Sequence, residues 1–123
     1  MMVKLIARFI HARTGLPLND GSVTARIYDR DLLSDDFLSE SGLSNAGEAE
    51  WIFALSSVAS ADSPQESRPD IYVELARAGH VFFQSPVSVD MDFLEVDAVS
   101  GERRGRTRFL GIFAVDDASG RVT

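Results

Sequence analysis

The feature that most constrains this chain is a period of two. In Val23-Thr24-Ala25-Arg26-Ile27-Tyr28, and again through Ala49, Trp51, Phe53 and Leu55, apolar residues occupy every second position. Only an extended strand gathers such residues on one face, because successive side chains point to opposite sides of the backbone. The β-branched and aromatic runs are short, and clusters of Gly, Pro, Asn, Asp and Ser separate them. No helical period of useful length interrupts the pattern. The sequence therefore predicts an all-β fold, a single antiparallel β-sandwich of about seven to eight strands, transthyretin-like or Greek-key.

The expected strands cover residues 2–13, 22–29, 39–44, 48–56, 71–75 and 80–84, with 93–99 and 106–115 as a closing hairpin around Ser100–Gly105. One domain over residues 1–123 is long enough to bury a core without staples. The absence of cysteine excludes disulfides and thiolate metal sites. A net charge of -7 argues against nucleic acid or an anionic membrane as a direct partner. The opening MMVKLIARFIHART is broken by Arg8 and His11, and no stretch approaches the roughly 18 apolar residues of a span. A cytoplasmic location is the default expectation.

The chemically pointed stretch is residues 27–40, IYDRDLLSDDFLSE, with five carboxylates in fourteen residues. If each strand runs the full height of the sandwich, successive connections alternate between its ends. Residues 30–38, 57–69, 86–92 and Asp116-Asp117 then share one end, and 14–21, 45–47, Ala78-Gly79 and Gly101–Gly105 the other. The first end collects Asp29, Asp31, Asp35 and Asp36 with Asp62, Asp70, Asp90, Asp92, Asp116 and Asp117. The second collects Arg77, Arg103, Arg104 and Arg106, which makes the molecule dipolar. Crowded carboxylates raise one another's pKa or recruit a cation, and calcium takes oxygen ligands in flexible geometry. The candidate calcium ligands are Asp29, Asp31, Asp35, Asp36, Asp90 and Asp92. Asp also caps turns, so the reading as solvated loop acids stays ahead of the calcium one.

The runs VTARIYDRDLLSDDFLSE, SNAGEAEWIF, RPDIYVEL and GHVFFQSPV, taken in that order, resemble the transthyretin-like and carboxypeptidase-regulatory-like β-sandwiches. The likeness covers residues 3–90 and implies a sandwich. Locally, Asp29, Asp31, Asp36 and Glu40 resemble a calcium loop of the phospholipid-binding domains of protein kinase C and synaptotagmin. Ser39 stands where those loops carry Gly, and no Asp-Pro-Tyr signature of their second loop occurs. The 5-hydroxyisourate hydrolases are similar in general architecture alone. Their histidine motif and Tyr-Arg-Gly-Ser ending are absent from a chain that closes Ala118-Ser119-Gly120-Arg121-Val122-Thr123.

Catalytic patterns are lacking. The two histidines, His11 and His80, fall at strand ends, and no Gly-x-Ser-x-Gly elbow, His-Glu-x-x-His or phosphate-binding glycine loop occurs. Arg103, Arg104, Arg106 and Arg108 form a small cationic patch, with Arg106 and Arg108 expected on one solvated face. The leading expectation is a non-enzymatic binding or interaction module, with calcium at the acidic end and a protein partner or self-association. Pole-to-pole contacts or strand addition at a sheet edge would build a larger assembly, the first strand with Lys4 and Arg8 governing such pairing. The alternatives are a small carboxylate-dependent hydrolase and a calcium-dependent lipid-binding domain. The first calls for a concave pocket with a perturbed carboxylate, the second for exposed apolar tips among Leu32, Leu33, Phe37 and Leu38.

Overall fold

Alternation along Met2–His11 explains the centre of the molecule. Val3, Leu5, Ala7 and Phe9 are wholly buried, while Lys4, Ile6, Arg8 and Ile10 face the other way. The computed structural model describes residues 2–31, 33–57, 69–89 and 91–116. Within them the strands are β1 (Met2–His11), β2 (Val23–Asp29), β3 (Asp36–Ser41), β4 (Glu48–Ala54), β5 (Ile71–Arg77), β6 (His80–Gln84), β7 (Leu94–Val96), β8 (Arg103–Gly105) and β9 (Thr107–Val115).

Two sheets pack face to face as an all-β sandwich. One has the order β4-β1-β9, the other β3-β2-β5-β6, and β7 and β8 form a separate two-stranded piece. Inward residues of both sheets meet in the core: Val23, Ala25 and Ile27 from β2, Ala49, Trp51 and Phe53 from β4, and Ile71, Val73 and Leu75 from β5. Leu18, Met91, Phe93 and Val115 close its ends. Trp51 ties the sheets together, because its buried indole N–H donates to the Ala25 carbonyl at 3.0 Å. Left unmade, that bond would strand a polar group in the core.

Three sequence expectations change here. The closing hairpin is not formed by 93–99 and 106–115. Instead β7 pairs with β8, and β9 runs parallel to β1, with Ile6 opposite Phe109 and His11 opposite Val115. The sandwich is thus antiparallel except along β1 and β9. The short β7–β8 excursion lets the chain re-enter at the same end it left, and alternation cannot reveal that. Gly105 makes the re-entry fit, since a Cβ there would overlap the Met2 backbone carbonyl.

Secondly, β1 is a central strand, flanked by β4 and β9, and so guards no edge. Three of the four outer strands, β3, β6 and β9, carry an extra residue: Leu38, Phe82 and Leu110 fall where the registers against β2, β5 and β1 shift. Such bulges twist an edge away from pairing with another chain.

Thirdly, the charge poles do not form. Arg106 lies 3.6 Å from Asp92 and Arg104 lies 3.3 Å from Glu95, so these arginines join the acidic end. Asp116 follows parallel β9 to the opposite end and sits 3.8 Å from Arg13. Pole-to-pole assembly loses its electrostatic basis. Arg106 and Arg108 share a face and are half-buried there: the first donates to the Leu94 carbonyl and the second to that of Asp92.

Candidate binding cleft at the loop end

Backbone hydrogen bonds bring the β2–β3 loop, the start of β5 and the segment after β6 to one end. Arg30 N–H donates to the Asp70 carbonyl at 2.8 Å, and Met91 N–H to that of Pro69 at 2.9 Å. Ile71 and Ser88 exchange both N–H···O bonds, at 2.9 and 2.7 Å. For these loops the alternation of ends read from the sequence holds.

The loop is pinned to the outer face of its sheet by one carboxylate. Asp35 Oδ2 accepts from the Tyr72 hydroxyl at 2.5 Å, and Asp35 Oδ1 from the Asp31 N–H at 3.2 Å. The Tyr72 bond, then the Asp31 N–H, and more weakly the charge of Arg30, hold the Asp35 carboxyl below the ordinary Asp range. Tyr72 answers in the opposite sense: burial first, then the bond to Asp35, push its phenol well above its usual value. At neutral pH the pair is therefore a phenol donating to a carboxylate.

Tyr72 points outward from β5 and would be expected in solvent, yet it is only 7% exposed. Tyr28 stacks on it with ring centroids 5.2 Å apart, and Phe37 meets Tyr28 edge-on at 5.9 Å. Three rings from β5, β2 and β3 thus lie in a row across the outer face. Beside them run Arg26, paired with Glu40 at 3.0 Å, and Glu74, which accepts from the Tyr28 hydroxyl at 3.3 Å.

Beyond Tyr72 a cleft of about 380 Å³ opens between the 30–35 loop and the 84–87 segment, lined by Arg30, Asp35, Tyr72, Gln84, Ser85, Pro86 and Val87. That volume lies in the range of small-ligand sites, roughly 300–1,000 Å³. Its far wall is fixed by Ser85, whose buried hydroxyl accepts from Val73 N–H at 2.8 Å and donates to the Pro86 carbonyl at 3.0 Å. Among the described residues, the Arg30 guanidinium and the Gln84 amide make no hydrogen bond or ion pair. The cleft thus combines a rigid aromatic floor, an apolar wall and two uncommitted polar groups.

The predicted metal ligands behave differently. Asp29 and Asp36 face each other across the end of the β2–β3 ladder, and Asp31 and Asp35 lie in the loop it closes. Asp35 is committed to Tyr72. Asp92 accepts from Leu94 N–H at 3.1 Å and lies 3.6 Å from Arg106. Asp90, like Asp62, Asp117 and Leu32, lies outside the described residues. No group of three Asp, Glu or His side chains assembles as a cation site among the described residues. As placed, the described members of this donor set, Asp29, Asp31, Asp35, Asp36 and Asp92, do not form a calcium cage. The sequence reading missed Tyr72, Gln84 and Ser85. Tyr72 was visible as an outward residue of a strand, but nothing local announces that a loop will fold over it.

No protein-family model matches the chain, and no curated protein matches it. Among solved structures, a 9R-lipoxygenase from Cyanothece PCC8801 is similar to it at 16% sequence identity and a TM-score of 0.54. The alignment covers 93% of this chain and 16% of that chain. This likeness is one of fold, between this sandwich and a small part of a longer protein.

Proposed function

We propose that the chain is a non-enzymatic binding module that recognises its ligand or partner at the loop end and works within a larger protein assembly. The observation that carries this reading is the pre-built cleft, whose two walls are held by the Tyr72–Asp35 bond and by Ser85. A site on elements locked by such contacts loses little conformational freedom on binding. Nucleophilic or general-base chemistry would need a base within hydrogen-bond reach. His11 stands at register with Val115 and His80 with Arg77, both at the end remote from the cleft. The likeness to a stretch of a longer chain supports the modular part of the reading.

A thermal-shift screen of amino acids, nucleotides, carboxylic acids, saccharides and short peptides tests it. At least one probe should raise the midpoint of the wild type and fail to do so for an Arg30→Ala, Gln84→Ala double variant. A screen with no shift, or one that persists in the variant, overturns the cleft as the recognition site. Calcium enters the proposal through Asp29, Asp31 and Asp36, and holding it would require Asp35 to leave Tyr72. A ligand at a hundredfold excess over Kd stabilises the native state by about 2.7 kcal/mol. An unchanged midpoint in millimolar calcium against chelator would remove the ion from the reading.

A second reading, docking on a lipid surface, is favoured by one observation. Leu33 is 98% exposed in the loop beside the cleft, and Val89 in the adjoining connection is 67% exposed. No helix among the described residues is long and apolar enough to cross a membrane, so such docking would be peripheral. Co-sedimentation with neutral and anionic vesicles, with and without calcium, decides it.

A further inference from the structure

We infer that the cleft and the ring row beside it bind a neutral oligosaccharide. The inference rests on the binding-module reading and names its ligand class.

Three observations point the same way. The first is the row itself. Phe37, Tyr28 and Tyr72 span three neighbouring strands at centroid steps of 5.9 and 5.2 Å, and Phe37 at one end is 54% exposed. Phe37 packs edge-on against Tyr28 and lies 6.0 Å from the Arg26 guanidinium, and the rest of its ring is open for an apolar face to be laid against it. The C–H face of a pyranose is such a surface, and its polar edge stays free for hydrogen bonds.

The second is the mixture of polar groups flanking the rings. Each sugar hydroxyl both donates and accepts, so its site needs both kinds of partner. Gln84 supplies both from one amide, Arg30 supplies donors, and the carboxylates of Asp35 and Glu74 keep lone pairs beyond those used by Tyr72 and Tyr28. Pro86 and Val87 leave one wall apolar. A purely ionic ligand would leave most of these groups unmatched.

The third is charge. The chain carries -7, and Asp29, Asp31 and Asp36 stand on the loop that forms one wall. That field repels phosphates and carboxylates approaching the cleft, whatever Arg30 offers locally. A bare cation would meet Arg30 at the lining. A neutral polyhydroxyl chain meets neither barrier, and beyond the cleft Phe37 offers it one further exposed ring.

Native affinity electrophoresis of the full chain tests the inference, in gels containing soluble β-glucan, xylan, galactomannan or glycogen, with a polyproline-containing gel as the competing occupant. Retardation by at least one polysaccharide is expected. Phe37→Ala and Gln84→Ala should each weaken it at least fivefold, and both variants should keep the circular dichroism of the wild type and a cooperative melt. Absence of retardation in every polysaccharide gel overturns the inference. So does retardation kept in full by both variants, or retardation by polyproline alone. Retardation with shortening of the polymer keeps the ligand class and overturns the non-enzymatic reading. If the thermal-shift screen yields a cleft ligand while these gels yield nothing, the module stands and the sugar assignment falls.

Discussion

The two ends of the sandwich are built by different means. At the end carrying residues 12–22, the Ser44–Gly47 turn and Ala78-Gly79, backbone and ionic ties are dense. Leu18 N–H donates to the Phe9 carbonyl and Phe9 N–H to that of Gly47, at 2.9 and 2.8 Å. Arg77 grips Asp20 with two nitrogens, at 3.0 and 2.7 Å, while its guanidinium lies 4.6 Å from the Phe82 ring centre. Phe9, Phe83 and Phe113 seal the open side between β6 and β9 nearby. The cleft end is held by the Tyr72–Asp35 bond, the Ser85 hydroxyl and the reach of Arg106 and Arg108 to residues 92–94, around a polar cavity and bare leucine and valine tips. On the proposed reading one end serves stability and the other recognition, as binding surfaces are drawn from the less stable parts of a fold. Substitutions at the two ends should therefore read out differently.

The largest effect is expected at Gly47. Its φ of +73° suits glycine, and a Cβ would overlap the Phe9 carbonyl oxygen and approach Leu18 N to 2.9 Å. Both obstacles are backbone and cannot swing aside. Gly47→Ala should cost about 3 kcal/mol or more through strain and overpacking together. A thermal melt should show the midpoint falling by about 10 °C or more. A fall under 2 °C would mean that this turn is not the anchor described.

Next comes Asp20, which accepts from Ser22 N–H and hydroxyl, at 2.8 and 2.7 Å, besides Arg77. The Ser22 bonds first, and then Arg77, lower its pKa from 3.8 to about 2. A group whose folded pKa is depressed stabilises the native state above its unfolded pKa. That contribution is lost as pH falls from about 4 towards 2. With its side chain 38% exposed, solvent screening limits the effect to about 1 kcal/mol. Asp20→Asn should lower the denaturant midpoint at pH 6 and shrink to little difference near pH 2. An equal loss at both pH values would place the cause in packing.

How much of this contrast was legible in the sequence follows from range. Alternation within a strand is local, so the buried faces of β1, β2 and β4 were readable from Val3, Ala25 or Trp51 and their neighbours. Fold class followed from the same signal. The parallel pairing of β9 with β1 spans about a hundred residues and leaves no local trace, which is why the last connections and the charge poles were misplaced. The acidic loop was found, and its position at one end followed from the alternation of connections between the two ends. Its chemistry was not legible, because it depends on Asp35 meeting Tyr72 across 37 positions. A residue such as Ser85, lying in an irregular segment, gave no sign that its hydroxyl would stand in for a ladder acceptor.

At the cleft end, Tyr72→Phe separates the latch from the fold. The ring and its stacking on Tyr28 remain, and only the hydroxyl bond to Asp35 goes. Global stability should fall by about 1 kcal/mol or less, since the Asp35 carboxylate is free to find water. Amide exchange of Asp31 should rise about tenfold, because its N–H acceptor Asp35 is no longer held in place, while amides around Leu18 keep their protection. Uniform acceleration at both ends would erase the contrast between them.

The smallest effect on folding belongs to Leu33, and that is what makes it informative. At 98% exposure its side chain contributes almost nothing to the core, so Leu33→Ser should move the melting midpoint by less than about 1 °C. A tip that costs nothing to remove has either no task or a task outside the folded chain. If the lipid reading holds, the same variant should lose vesicle co-sedimentation while retaining any saccharide retardation, because the ring row and the cleft are untouched. If the cleft alone is the binding surface, Leu33→Ser should match the wild type in both measurements. Loss of saccharide retardation would instead extend the binding surface from the cleft over the crest of its loop.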